Sequence, residues 1–425
     1  MAGIVTHQSP EFSLPMRYML TSVLGFGLFA LDLLSESVGL GTGAALSPAI
    51  VALTHLLTLG VLLSFVMGAV YQLVTVAFLI PVRGVKLAKV NYYAYVVGVV
   101  GLWASMRGWF VPGLLGFGSL VVLSLYVYAG IILSSLAPSA VRGPMRWFVQ
   151  AAHIYLILAI TMAWLMVASF TFGILSSWYT ELLATHILLA VSFFSCLIFG
   201  FTYKLLPMFT LSHGFSTWRQ NYVFYGLNAG IWLIVAGVWT RWLPIGILGA
   251  ISATAAFVLQ IFDVREMMKK RMRKKIEHPI RFTAVAVAFG ATTSLLVFVF
   301  LASRSPQSVW QALVGFYLLG WVVLTVMGYS YKIVPFLIWT KRFGGQAGRD
   351  KVPTIAQLLD LDTSRLMFVA FLAGLVLLTI SIGFTWKIGA VLGAVLLAIA
   401  IAQYLVHMVH VLDLRKLPKE LKNHD

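Results

Sequence analysis

Charge is scarce in this sequence. Asp, Glu, Lys and Arg make up 10% of the 425 residues, against roughly 25% in a soluble domain. Acid is scarcer than base: 13 Asp and Glu stand against 30 Lys and Arg, for a net charge of +17. There is one cysteine, Cys196, which excludes an intrachain disulfide and any metal site built from cysteines. The opening stretch MAGIVTHQSPEFSLPMRYML lacks a short apolar core followed by a small-residue cleavage site, so the first span is expected to stay as an anchor.

What fills the chain instead is apolar residue, 60% of the total, with a mean hydropathy of +0.95. Runs of about 20 apolar residues are long enough to cross a bilayer as helices. The pattern predicts an all-α polytopic membrane protein with twelve spans, at 17–36, 50–79, 91–111, 113–136, 146–172, 182–208, 221–241, 243–266, 281–303, 309–337, 364–385 and 387–412. The basic residues fall in alternate loops. Arg83, Lys86 and Lys89 follow the second span, Arg142 and Arg146 the fourth, and MKKRMRKKIEHPIR the eighth. Lys341, Arg342, Arg349 and Lys351 follow the tenth, and the tail carries Arg415, Lys416, Lys419 and Lys422. Loops such as ESVGLGTGAALSP and SSWYTE have no base. The positive-inside rule then puts both termini in the cytoplasm of a cell membrane, and membrane topology rather than nucleic-acid binding accounts for the positive charge.

The chain reads as a single transmembrane domain over residues 1–425 with three internal repeats, about 12–140, 141–277 and 278–415. Each opens on a basic, proline-tagged entry: LPMRYM, GPMRWF, HPIRFT. Each second span ends on a Gly-x-x-Tyr step, GAVYQL, GFTYKLLP and GYSYKIVP, with Tyr71, Tyr203 and Tyr331 separated by 132 and 128 residues. Fourth spans share GLLGFGSL, GILGAISA and AVLGAVLL, and the corners before them share MRGWF, WTRWLP and FTWKIG. Four landmarks in register predict three pseudo-symmetric four-helix units about an axis along the membrane normal. The Gly-x-x-Tyr steps would let helices approach while each phenol reaches a partner near the cytoplasmic side.

Of nine histidines, His7 and His424 lie in the tails, and His278 and His213 lie at or beyond span ends, where solvation explains them. His55 and His186 are different. Both sit in the outer third of a second span, in THLLTLG and THILLAV, 16 and 17 residues before the repeat tyrosine. A residue is about 100° of helix, so their rings need not point alike. An intramembrane polar group needs an interior partner. Neutral imidazole can take a hydrogen bond from a neighbouring helix or ligate iron, and the residues alone leave both readings open. His153 lies in the fifth span. His407 and His410 stand i, i+3 near the cytoplasmic end of the last span beside Asp413, which suits a metal pair lacking a third ligand less well than a helix end with histidine near its carbonyls. Asp32, in FALDLLSES, is an intramembrane acid that suits a proton carrier, a cation site or a hydrogen-bond partner of His55, and its place close to the outer surface suits plain hydration slightly better. Lys204 and Lys332 follow repeat tyrosines at the cytoplasmic boundary, where snorkelling accounts for them.

Twelve spans, cytoplasmic termini, three four-helix units and a histidine in the outer part of the second span together resemble haem-copper oxidase subunit I. The likeness covers most of the chain as architecture and is thinner in its motifs: Thr54-His55 and the Gly-containing run after it look like a reduced version of the family's second-span start. The resemblance implies that His55 ligates a low-spin haem b. The departures are specific. Ala190, not tyrosine, stands four residues after His186, and neither the seventh span NYVFYGLNAGIWLIVAG nor the tenth, YLLGWVVLTVMGYSYK, has a histidine. Copper is therefore not expected, and the family's oxygen-reducing centre has no ligands. The resemblance leaves one haem, with His55 alone or with His186 as the opposite axial ligand. Arg107, Arg241 and Lys387, beside Trp109, Trp242 and Trp386, lie at the level where haem propionates need cations. The same residues also suit interface anchors. The implied role is electron transfer, sensing or respiratory-complex assembly, with other membrane subunits as candidate partners. A haemless carrier of a small solute or metal ion on the same fold is the alternative, and enzymatic activity stays open.

Overall fold

A backbone surrounded by hydrocarbon must satisfy its own amides, and apolar runs of this length do so as helices. The computed structural model describes residues 8–44, 46–273, 276–303, 305–345, 352–359 and 361–412. His7, His424, Lys274, Lys275, Arg349, Lys351, Asp413 and the tail bases Arg415 to Lys422 lie outside the described residues. Among the described residues twelve long helices follow one another: α1 Ser13–Leu40, α2 Pro48–Phe78, α3 Val85–Arg107, α4 Val111–Leu136, α5 Pro144–Phe172, α6 Tyr179–Thr210, α7 Arg219–Thr240, α8 Leu243–Lys269, α9 His278–Ala302, α10 Gln307–Phe343, α11 Leu361–Gly383 and α12 Lys387–Leu412. Among the described residues there is no strand, only an isolated bridge between Ser212 and Arg271. Eleven of the helices are long and apolar enough to cross a membrane. The exception, α3, begins at Val85 rather than 91 and so takes Lys86 and Lys89 into its first turns.

Local chemistry sets the helix starts. Ser47 caps α2 by accepting from the Ile50 amide, with Pro48 at the first helical position, and α4, α5 and α8 also carry proline in the first turn. Pro207 and Pro335 fall inside α6 and α10, which nevertheless run on to Thr210 and Phe343. The prolines stand four residues after Tyr203 and Tyr331, so it is these carbonyls that lose an intrahelical donor.

Two helices are not α throughout. Leu56–Leu63 in α2 and Phe316–Val323 in α10 are π-helical, and they begin 260 residues apart, as do Tyr71 and Tyr331. In the first, Ser64 Oγ donates to the Leu59 carbonyl five residues back, at 3.0 Å. Helix α6 has no such segment. The uniform 100° per residue expected between His55 and Tyr71 therefore fails: a π turn holds more residues, so the two second spans differ in phase by more than a count of residues implies.

The chain divides into two compact units: residues 1–76, 277–289 and 302–425, and residues 77–276 and 290–301. In the first, α1 packs on α12 and on the π segment of α2, and α11 packs on α10 and α12. In the second, α3, α4, α5 and α6 pack in sequence, α7 pairs with α8, and α6 meets both. The Gly-x-x-Tyr glycines mark close approaches. A Cβ on Gly68 would stand 2.6 Å from the Pro15 carbonyl oxygen, and one on Gly328 would stand 2.8 Å from that of Pro279. One on Gly200 would meet Phe148 Cβ at 2.8 Å and the Met145 carbonyl oxygen at 3.3 Å. Each repeat glycine thus lies against the start of the helix preceding its own. Small residues serve this purpose in membranes, where packing rather than water exclusion holds helices together.

The corners ahead of α4, α8 and α12 also repeat. Trp109, Arg241 and Thr385 are left-handed, with φ of 48°, 54° and 50°. The next amide, of Phe110, Trp242 or Trp386, returns to the carbonyl of Ser105, Gly237 or Ser381 at 2.8, 3.1 and 2.8 Å. None of the three is glycine, so each corner carries about 1–2 kcal/mol of backbone cost that its surroundings offset.

Candidate functional site

His55 is the last residue before the π segment and is half-buried. Its Nδ1 lies 2.8 Å from the Val51 carbonyl one turn back. His186, also half-buried, has Nδ1 2.9 Å from the Ala159 carbonyl on α5. A carbonyl only accepts, so in the neutral ring Nδ1 carries the proton in each. Holding Nδ1–H in this way is how ligating histidines are oriented. The two residues belong to different compact units.

Two other span histidines, His153 and His407, use both nitrogens in hydrogen bonds. His153 is fully buried, with Nδ1 2.7 Å from the Val149 carbonyl and Nε2 3.3 Å from the Tyr128 hydroxyl. His407 is buried between the Tyr331 hydroxyl, 2.6 Å from Nδ1, and Thr363 Oγ1, 2.9 Å from Nε2. The expectation that His407 serves the carbonyls of a helix end is thus corrected: side chains of α10 and α11 engage it.

Two of the three repeat tyrosines, Tyr203 and Tyr331, find hydrogen-bond partners near the end of their repeat's fourth span, and no such bond is made by Tyr71 among the described residues. Tyr331 meets His407 on α12, and Tyr203 donates to Asp263 Oδ2 on α8 at 3.0 Å. Asp263 and His407 lie 21 and 21 residues after the corner residues Trp242 and Trp386, so they occupy matching positions. Around Asp263 the sequence reading missed an ion-pair cluster. Arg219 Nε donates to Asp263 Oδ1 at 2.7 Å, and the same guanidinium pairs with Glu266. Glu266 Oε1 also accepts from the Ser216 amide at 2.8 Å and faces Lys270 Nζ at 3.1 Å. The signal was an aspartate inside the eighth span, the same kind of signal that singled out Asp32. Lys332, expected to snorkel, pairs with Glu277.

The three candidate propionate partners differ. Arg241 is engaged: its Nε donates to Glu181 Oε1 at 2.7 Å, and its guanidinium lies over the Trp178 ring, 5.9 Å from the centroid. Glu181 is buried at the start of α6, and its second oxygen, Oε2, has no hydrogen-bond partner among the described residues. Arg107 is half-buried in the last turn of α3, and Lys387 is the exposed first residue of α12. Asp32 is buried, with Ser35 Oγ 3.4 Å from its Oδ1. Compared with protein-family models and with curated proteins, the chain matches none.

Proposed function

We propose that this chain is a haem-binding integral membrane protein of three four-helix units, built like haem-copper oxidase subunit I and working in electron transfer, sensing or respiratory-complex assembly. One observation carries the haem reading. His55 and His186, the two histidines singled out by depth and repeat position, both have Nδ1 bonded to a backbone carbonyl, the way a ligating histidine ring is oriented. The threefold reading rests on the recurrent glycine approaches and left-handed corners.

His55, alone or with His186, would hold the iron, and a bound haem would supply a one-electron couple. Val51 and Ala159 orient the two rings through their carbonyls. Arg107, Arg241 and Lys387 are the candidate cations for propionates, and of these Arg241 already neutralises Glu181. Purified protein from cells supplied with haem should carry about one haem b per chain in a pyridine haemochrome assay. A colourless protein from such cells would favour the haemless carrier.

A further inference from the structure

The outward face of α8 combines an apolar groove with a basic end. Ile251, Ala255, Val258 and Phe262 form an exposed ridge at alternating four- and three-residue steps, and the same ridge continues through Arg265 to Lys269. Beside it, Ile251, Thr254, Ala255, Val258 and Leu259 of α8 and Phe298 of α9 line an open groove of about 510 Å³, nearly all apolar. The acids nearest the basic end are already engaged: Asp263 by Arg219 and Tyr203, and Glu266 by Arg219, Lys270 and the Ser216 amide. Among the described residues, no ion pair engages Arg265 or Lys269. Two unneutralised cations thus stand at the helix end that the positive-inside rule places at the cytoplasmic boundary.

We infer that this face binds one anionic phospholipid of the inner leaflet, with its phosphate on Arg265 and Lys269 and an acyl chain in the groove between α8 and α9. The dimensions agree. Val258, in the groove, is eleven residues from Lys269, or about 16 Å at ~1.5 Å per residue. Half of a hydrocarbon core roughly 30 Å thick is about 15 Å. A chain running up the ridge from a headgroup at Lys269 therefore ends in the groove. The uncompensated positive charge selects an anionic headgroup over a zwitterionic one.

Native mass spectrometry of the delipidated full-length protein, titrated with dioleoylphosphatidylglycerol or dioleoylphosphatidylcholine, tests this. One phosphatidylglycerol should bind per chain in preference to phosphatidylcholine. At about fivefold per basic residue near a membrane surface, Arg265→Gln/Lys269→Gln should weaken phosphatidylglycerol binding roughly thirtyfold and leave phosphatidylcholine unchanged. Val258→Trp, which fills the groove, should weaken both lipids. Lys86→Gln, at an exposed lysine on another helix, should change neither. Equal binding of the two lipids by the parent protein, or a loss in Lys86→Gln as large as in the double variant, would overturn the inference.

Discussion

Removing Asp263 should expose how much the charged cluster beneath the second repeat contributes to stability. Its side chain is inaccessible to solvent and takes two donors, Arg219 Nε at 2.7 Å and the Tyr203 hydroxyl at 3.0 Å. Asp263→Ala leaves Arg219, with 18% of its side chain exposed, facing only Glu266, and leaves the tyrosine hydroxyl without its acceptor. Breaking a buried pair from one side costs about 3–5 kcal/mol. Tyr203→Phe alone removes one hydrogen bond, about 1 kcal/mol, and strands one carboxylate oxygen. Because both losses pass through Asp263, they should not add: in the Asp263→Ala background, Tyr203→Phe should be close to neutral. Asp263→Asn keeps an acceptor for the phenol and should fall between the two. The assay is reversible unfolding in mixed micelles, read by far-ultraviolet circular dichroism, with all four members of the cycle. A cost below about 1 kcal/mol for Asp263→Ala, or strict additivity in the cycle, would refute the reasoning.

Three other outcomes follow from the helix contacts. Gly68→Leu and Gly328→Leu should each destabilise the protein by more than about 2 kcal/mol in the same assay, because the added carbons meet the Pro15 and Pro279 carbonyls; leucine at Gly116, which has open space around it, should be nearly neutral. His407→Ala leaves the Tyr331 and Thr363 hydroxyls without their shared partner and should cost about 1–3 kcal/mol, whereas His407→Gln should recover part of the loss. Reporters fused after Asp425 and inserted after Arg273 should both read as cytoplasmic; an external reading for either would reverse the depth assigned to His55.

The spans were legible because hydropathy and length alone specify a membrane helix. Two of the repeat tyrosines, Tyr203 and Tyr331, were legible too, because a phenol after a close-packing glycine needs a partner, and Asp263 and His407 supply it. The π segments were not: LLTLGVLL and FYLLGWVV are ordinary apolar runs, and their widened turns depend on tertiary packing, such as the Gly60 carbonyl, which lies 2.6 Å from where a Cβ on Gly25 would stand. The left-handed corners escaped for a related reason. Trp109, Arg241 and Thr385 are residue types that avoid positive φ, so only the folded corner shows what they do. Arg241 was visible as a cation at the outer face, but Glu181, sixty residues earlier, was needed to show its partner. The histidines were found by depth, and their tautomers depend on carbonyls that no spacing rule identifies.

The most direct test of the haem proposal is the dithionite-reduced minus air-oxidised spectrum of purified protein and of its His55→Ala variant, both expressed with ample haem. Imidazole from His55 should give the parent a low-spin haem b spectrum with a sharp alpha band. His55→Ala should abolish or radically shift that spectrum, and His186→Ala should convert six-coordinate low-spin haem to a five-coordinate form. A parent protein with no haem, or a His55→Ala protein that keeps the full low-spin spectrum, would contradict the proposal.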